Sequence, residues 1–139
     1  MPDVLDHIAQ ANHNRQCAGE FLARYRDWAI TATFYAAVHL VEAGLTATDI
    51  GHSDSRRPEG EMPHDYRERL VRERFGDTCY KCYRKLRTAS YNVRYLVLSQ
   101  NKPGVALDYY SQDSAKGFLE KELPQIRREI EKVTGINLL

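Results

Sequence analysis

Between Thr78 and Leu98 the sequence sets Tyr80, Arg84, Arg87, Tyr91, Arg94 and Tyr95 within one helical arc of about 100°, and the segment contains no acidic residue. Guanidinium groups bind phosphates through paired hydrogen bonds, and phenol rings offer flat faces to unstacked bases. The ridge therefore has the chemistry of a surface for RNA or single-stranded nucleic acid. A solvated face reads the same residues without a function: its arginines would pair with acids on the last helix and its tyrosines would cover the core edge. Taken alone, the pattern favours that plainer reading.

A second polar set lies on the apolar segment after Asp27, where Trp28, Tyr35, His39 and Glu42 fall close to one line. His39 and Glu42 are one turn apart, a spacing that lets a carboxylate set the tautomer and basicity of an imidazole. Such a histidine is more often a core residue satisfied by its neighbours, Glu42 or a tyrosine, so Tyr35, His39 and Glu42 stand as a polar site or an interface. Cys79 and Cys82 have the Cys-x-x-Cys form, yet both fall on the apolar stripe of their helix and no second pair completes a zinc site. The five histidines, at 7, 13, 39, 52 and 64, show no His-Glu-x-x-His spacing, and no P-loop, nucleophile elbow or dinucleotide fingerprint is present. The spacing points to no metal and no cofactor, and disfavours the common hydrolases and nucleotide enzymes.

The elements that must position these residues read as helices throughout. Val4, Leu5, Ile8, Ala11, Ala18, Phe21, Leu22 and Tyr25 recur every three or four residues, predicting a first helix over 4–25. Asp27 is the expected N-cap of a second, Trp28 to about Leu45, apolar on most of its circumference. Residues 46–63 hold Gly51, Pro58, Gly60 and Pro63 and read as a long loop. A short helix over 64–75 should bury Tyr66, Leu70 and Phe75, and Gly76-Asp77 should interrupt or cap it before the ridge helix, 78–98. In that helix Cys79, Cys82, Leu86, Ala89, Val93, Leu96 and Val97 form the core stripe. Asn101 to Gly104 reads as a turn. The last helical region, 113–134, carries Phe118, Leu119, Leu123, Ile126, Ile130 and Val133, with Pro124 kinking or breaking it and Gly135 ending it. The class is all-α, a bundle of four to five helices in a single domain over 1–139.

Composition sets the outer limits. The chain has 139 residues, 42% of them hydrophobic, and a formal net charge of +1, which describes a domain able to build a core without disulfides. The charge is uneven: residues 1–50 carry three basic and six acidic groups, net −3, whereas residues 56–95 carry eleven and six, net +5. Three cysteines and a charged N-terminal segment predict a cytoplasmic protein with reduced thiols. The longest uncharged stretch near the N-terminus, Trp28 to Val41, has fourteen residues against the roughly 20 of a membrane span, so no membrane is expected.

Asp27-Trp28-Ala29-Ile30-Thr31-Ala32-Thr33-Phe34-Tyr35-Ala36-Ala37-Val38-His39-Leu40-Val41-Glu42-Ala43, with His64-Asp65-Tyr66-Arg67 and Tyr83-Arg84-Lys85-Leu86, Ser90 and Arg94-Tyr95, resembles small prokaryotic proteins of the HEPN superfamily over roughly residues 5–98. The resemblance implies a helical bundle, commonly a homodimer, from a toxin–antitoxin, phage-defence or nucleotidyltransferase-associated system. It also implies a metal-independent endoribonuclease, in which an Arg, four to six residues and a His form the motif and two copies meet across the dimer. There the His and Arg promote attack of the RNA 2′-hydroxyl on the adjacent phosphate. The formal match here is Arg57, six residues, then His64, with Pro58, Gly60 and Pro63 between. His64 with Arg67 or Arg57 is thus the expected catalytic pair, and Arg84, Arg87, Tyr91, Arg94 and Tyr95 the expected nucleic-acid contacts. The competing expectation is a protein-interaction module without catalysis, an accessory subunit whose partner is encoded by a neighbouring gene.

Overall fold

Four long helical stretches build the molecule, and the computed structural model describes residues 2–96, 106 and 109–139 of them and their connections. Helix α1, Val4–Phe21, opens with a capping box: Asp3 accepts from the Asp6 amide at 2.9 Å while Asp6 accepts from the Asp3 amide at 3.0 Å. It ends four residues before the expected Tyr25. Its buried seam is His7, Ala11 and Ala18, and the expected stripe members Leu5, Phe21 and Tyr25 are exposed. Small side chains on that seam let α1 lie close against the alanine-rich second helix.

Helix α2, Arg26–Thr46, is the central element. By length and composition it passes as a membrane span, but most of it is buried inside the bundle, Ile30, Phe34, Val41 and Leu45 completely. The expected cap at Asp27 is a correction: the helix starts two residues earlier, at Arg26, with Tyr25 as N-cap and no side-chain cap bond. Asp27 lies in the first turn, where its charge still complements the helix dipole. Gly44 is required by close approach, since a Cβ there would meet Ile130 Cγ2 at 2.5 Å and Phe75 Cζ at 2.9 Å.

The loop 47–62 contains one 3₁₀ turn, Ser53–Ser55, and leads into α3, Pro63–Tyr95. Two helical arms meet in α3 at Gly76, whose φ of 89° and ψ of 176° no L-residue adopts without strain. That joint is the interruption expected at Gly76-Asp77. The first arm buries Tyr66, Leu70, Val71 and Phe75, the second Cys79, Tyr83, Leu86, Ala89 and Val93. Its end departs from expectation: the helix stops at Tyr95, and Leu96 takes a left-handed conformation and is exposed. Val97, Leu98 and the expected turn at Asn101 to Gly104 lie outside the described residues.

The C-terminal region runs as α4, Gln112–Gly117, a π turn, Phe118–Glu122, and α5, Leu123–Thr134. The π turn explains how Pro124 is tolerated. The Leu123 amide reaches back to the Phe118 carbonyl, and Pro124 then falls in the first turn of α5, where a missing donor costs nothing. Phe118, Leu123, Ile126 and Ile130 enter the core as expected, whereas Val133 is exposed. Gly135 ends the helix with a φ of 73°. All helices share one hydrophobic core, and no strand occurs among the described residues, so the fold is an all-α bundle.

Candidate functional site

Glu42 is the structural centre of the polar region. Its carboxylate is buried to 1% exposure near the C-terminal end of α2 and accepts from the Arg67 Nε at 2.7 Å, from the Ser53 amide at 3.0 Å and from Ser53 Oγ. His52 Nε2 stands 3.5 Å from its second oxygen. Burial alone would raise the Glu42 carboxyl, but the hydrogen bonds from Ser53 and Arg67 outweigh it and hold the group below the usual carboxylate range. The expected His39–Glu42 pairing is therefore a correction. One turn of separation does bring the two residues near each other, but Glu42 turns inward to Arg67 and Ser53. The His39 Nδ1 instead meets His7 Nδ1 at 3.1 Å.

The first arm of α3 carries Arg67 to Glu42 and sets His64 beside it, with Arg67 Nη1 3.2 Å from His64 Nδ1. An arginine can only donate, so His64 Nδ1 accepts and the neutral ring carries its proton on Nε2. Burial lowers the His64 imidazole, and the nearby charges of Arg67, Arg87 and Arg94 lower it further, which keeps it neutral at pH 7. Phe34 and Tyr35 from α2 pack against this ring at centroid distances of 5.7 and 6.2 Å. Of the expected pair partners, Arg67 is at His64 and Arg57 is not. Arg57 donates to the Glu61 carbonyl at 2.7 Å and lies 3.9 Å from Asp54, because its loop folds back on itself.

The ridge continues from His64 along the second arm of α3. Arg87 donates to Asp65 at 2.8 Å, to Glu68 at 3.2 Å and to the His64 carbonyl at 3.4 Å, tying the arm back to the start of the same helix. Those acids come from α3 itself, not from the last helical region as the solvated-face reading expects; among the described residues Lys85 takes that course, to Glu122 at 2.6 Å. Arg94 donates to Tyr35 Oη at 3.3 Å and lies over the Tyr35 and Tyr95 rings at 5.7 and 5.2 Å. Tyr91 and Tyr95 are exposed and their rings are 4.9 Å apart. Arg84 is exposed and donates to Tyr80 Oη at 3.3 Å. A shallow groove lined by Glu68, Arg84, Arg87, Thr88 and Tyr91 runs across this surface. Tyr35 joins the ridge to α2, so it belongs with Arg94 and His64, and not with Glu42.

Sequence reasoning missed four participants. His7 and Ser53 look unremarkable in their segments, and Tyr83, fully buried beside Arg67, sits off the ridge on the inner face. His52 is the fourth, from a loop whose length was the only signal that it carries function. Cys79 and Cys82 are free thiols, Cys79 fully buried with its thiol pushed up to about 12 by burial, in keeping with a packing role. A cavity of about 470 Å³, lined mainly by Ala11, Ala36, Leu40, Leu123 and Leu138, lies away from the polar site, and another of about 510 Å³ borders the ridge at Tyr80, Arg84 and Lys85. No protein-family profile matches the sequence, and comparison with curated proteins gives no significant match.

Proposed function

We propose that this chain binds RNA or another single-stranded nucleic acid along the ridge of α3, in the manner of a HEPN-like protein acting as a cytoplasmic homodimer in a toxin–antitoxin or phage-defence system. The observation that carries the reading is the contiguity of His64, Arg87, Arg94, Tyr35, Tyr91 and Tyr95. Cations stand beside open aromatic faces on one surface of the most basic part of the chain. Phosphates would meet Arg84, Arg87 and Arg94 and the Nε2 proton of His64, while bases stack on Tyr91 and Tyr95.

Cleavage is the second reading, and the 3.2 Å contact between His64 and Arg67 favours it. It asks more of the site than binding does. The His64 lone pair is on Nδ1 and is held by Arg67, so accepting a 2′-hydroxyl proton requires that contact to open. Arg67 is also committed to Glu42. Binding without cleavage needs neither change, and an accessory role toward a partner protein remains compatible with it.

One set of variants tests both readings. Tyr91→Ala with Tyr95→Ala should weaken the anisotropy-measured affinity for a short single-stranded RNA by about fivefold or more per ring, at about 1 kcal/mol or more for each base stacked. The corresponding Phe variants should retain affinity, because stacking needs the ring and not the hydroxyl. His64→Ala should abolish cleavage in the presence of chelator with little loss of affinity if His64 is the base; a chain that only binds shows no cleavage to lose. Equal affinity in the Tyr→Ala pair removes the stacking surface from the account.

The apolar circumference of α2 is consumed inside the chain and is not free for a second copy. Phe21, Tyr25 and Trp28 remain exposed at the junction of α1 and α2 and are the face we assign to the second copy. Sedimentation equilibrium should give twice the chain mass of 16.1 kDa, and Trp28→Glu should return it to one. A wild-type monomer at high micromolar concentration would rule out a composite site.

A further inference from the structure

The geometry points to a divalent transition-metal site, of the zinc class, formed by His7 of α1, Glu42 of α2 and His52 of the connecting loop. One ligand atom from each residue falls in a group whose members all lie within 4.8 Å of one another. Ligands of a tetrahedral zinc with bonds of about 2.0–2.1 Å stand about 3.3 Å apart, so closure asks for shifts of about 1.5 Å at most. His52 Nε2 and the Glu42 oxygen, at 3.5 Å, are already at that separation.

His7 supplies the independent observation. Its side chain is 97% buried, being 3% exposed, and Nε2 has no hydrogen-bond partner among the described residues. Leaving a buried ring nitrogen unmatched is costly. His7 Nδ1 meets His39 Nδ1 at 3.1 Å. When His7 donates in that contact, its Nε2 is left with a buried lone pair that no described residue uses. That is the arrangement of a metal-binding imidazole, whose other nitrogen donates to a neighbour that fixes the tautomer. His39 is then a positioning residue. His52 Nδ1 accepts from the Asp54 amide at 3.2 Å, so taking the metal on Nε2 moves the ring proton to Nδ1 and exchanges that bond for one to the Asp54 carboxylate, 3.8 Å away.

Glu42 can serve both neighbours because its two oxygens are differently engaged. One takes Arg67 and Ser53 Oγ; the other takes the Ser53 amide and faces His52. The metal joins the second oxygen and adds to the existing ion pair without replacing it. The His52 side chain keeps 13% of its surface exposed, which gives solvent access for a water as fourth ligand. The three ligands come from segments far apart in sequence, so the bound ion clamps the loop and α1 onto α2. It does this independently of nucleic-acid binding on the α3 ridge, and failure of either proposal leaves the other standing.

The test is titration of the chelator-treated full chain with zinc chloride against a chromophoric competitor, with thermal unfolding as a second readout. We expect one zinc per chain at submicromolar affinity and a higher melting temperature. His7→Ala and His52→Ala should each weaken binding at least tenfold; His52 lies in the loop, so its variant keeps the core intact if His7→Ala does not fold. On α1, His13 Nε2 and Cys17 Sγ lie 3.6 Å apart and offer a surface site for the same ion. The His13→Ala, Cys17→Ser double variant should bind as the wild type does. Loss of zinc in that double variant, or unchanged affinity in His52→Ala, would overturn the assignment.

Discussion

Glu42→Ala is expected to destabilise the fold by about 3–5 kcal/mol, the range for removing one partner of a buried ion pair. The magnitude follows from what is left behind: an Arg67 guanidinium 7% exposed without a counter-charge, and a Ser53 amide and hydroxyl without their acceptor. Glu42→Gln keeps an acceptor for Ser53 and should cost less, because only the charge is lost. Urea denaturation resolves the two. A Glu42→Ala variant within about 1 kcal/mol of wild type would mean that the pair is hydrated and that the polar centre does not organise the bundle.

The same cluster sets the response to acid. Burial lowers His7, His39 and His64 from the ordinary imidazole value, so the unfolded chain takes up protons that the fold refuses as pH drops below about 6.5. Stability is full above that value and declines below it. Glu42 is depressed in the fold, so its contribution is present above the ordinary carboxylate value and is lost as pH falls further, through its folded value. The decline should therefore come in two stages, the first removed in part by His7→Phe.

The helices were largely legible in the sequence because their signals are local. Ile30, Phe34, Val38, Val41 and Leu45 repeat at helical spacing and are buried, and Gly76 interrupts α3 where its sequence neighbours suggested. Helix ends were less legible. Nothing local distinguishes Asp27 as a cap from Asp27 as a first-turn residue. Pro124 does not break the last helical region, because a π turn absorbs it. The site was legible only in part. His64 with Arg67 is a contact at three residues' spacing on one helix, which a sequence can display. The joining of Glu42 to Arg67 and Ser53, and of His7 to His39, depends on how three helices and a loop cross, and periodicity carries no information about that.

The second large effect concerns the ridge. Arg84→Ala, Arg87→Ala and Arg94→Ala together should weaken RNA binding by about 100-fold at low salt, at roughly 1 kcal/mol for each lost contact. Arg87 contributes beyond its own contact: without it, Asp65 and Glu68 lose the cation that they share and face the incoming phosphates. The fold should survive, since Arg84 is exposed, and ion pairs of the partly exposed Arg87 kind contribute about 0–1 kcal/mol. A triple Lys variant should restore attraction but not full affinity, because an ammonium cannot reproduce paired hydrogen bonds to phosphate.

If the α3 ridge holds a nucleic-acid backbone, single-stranded RNA affinity must fall with salt according to the number of phosphates it neutralises. Each phosphate neutralised on a single strand contributes about 0.7 to the slope of log affinity against log salt, so wild type should exceed the triple Ala variant by roughly 2 in slope. Identical slopes for the two folded proteins, or no RNA binding by wild type at low salt, would contradict it.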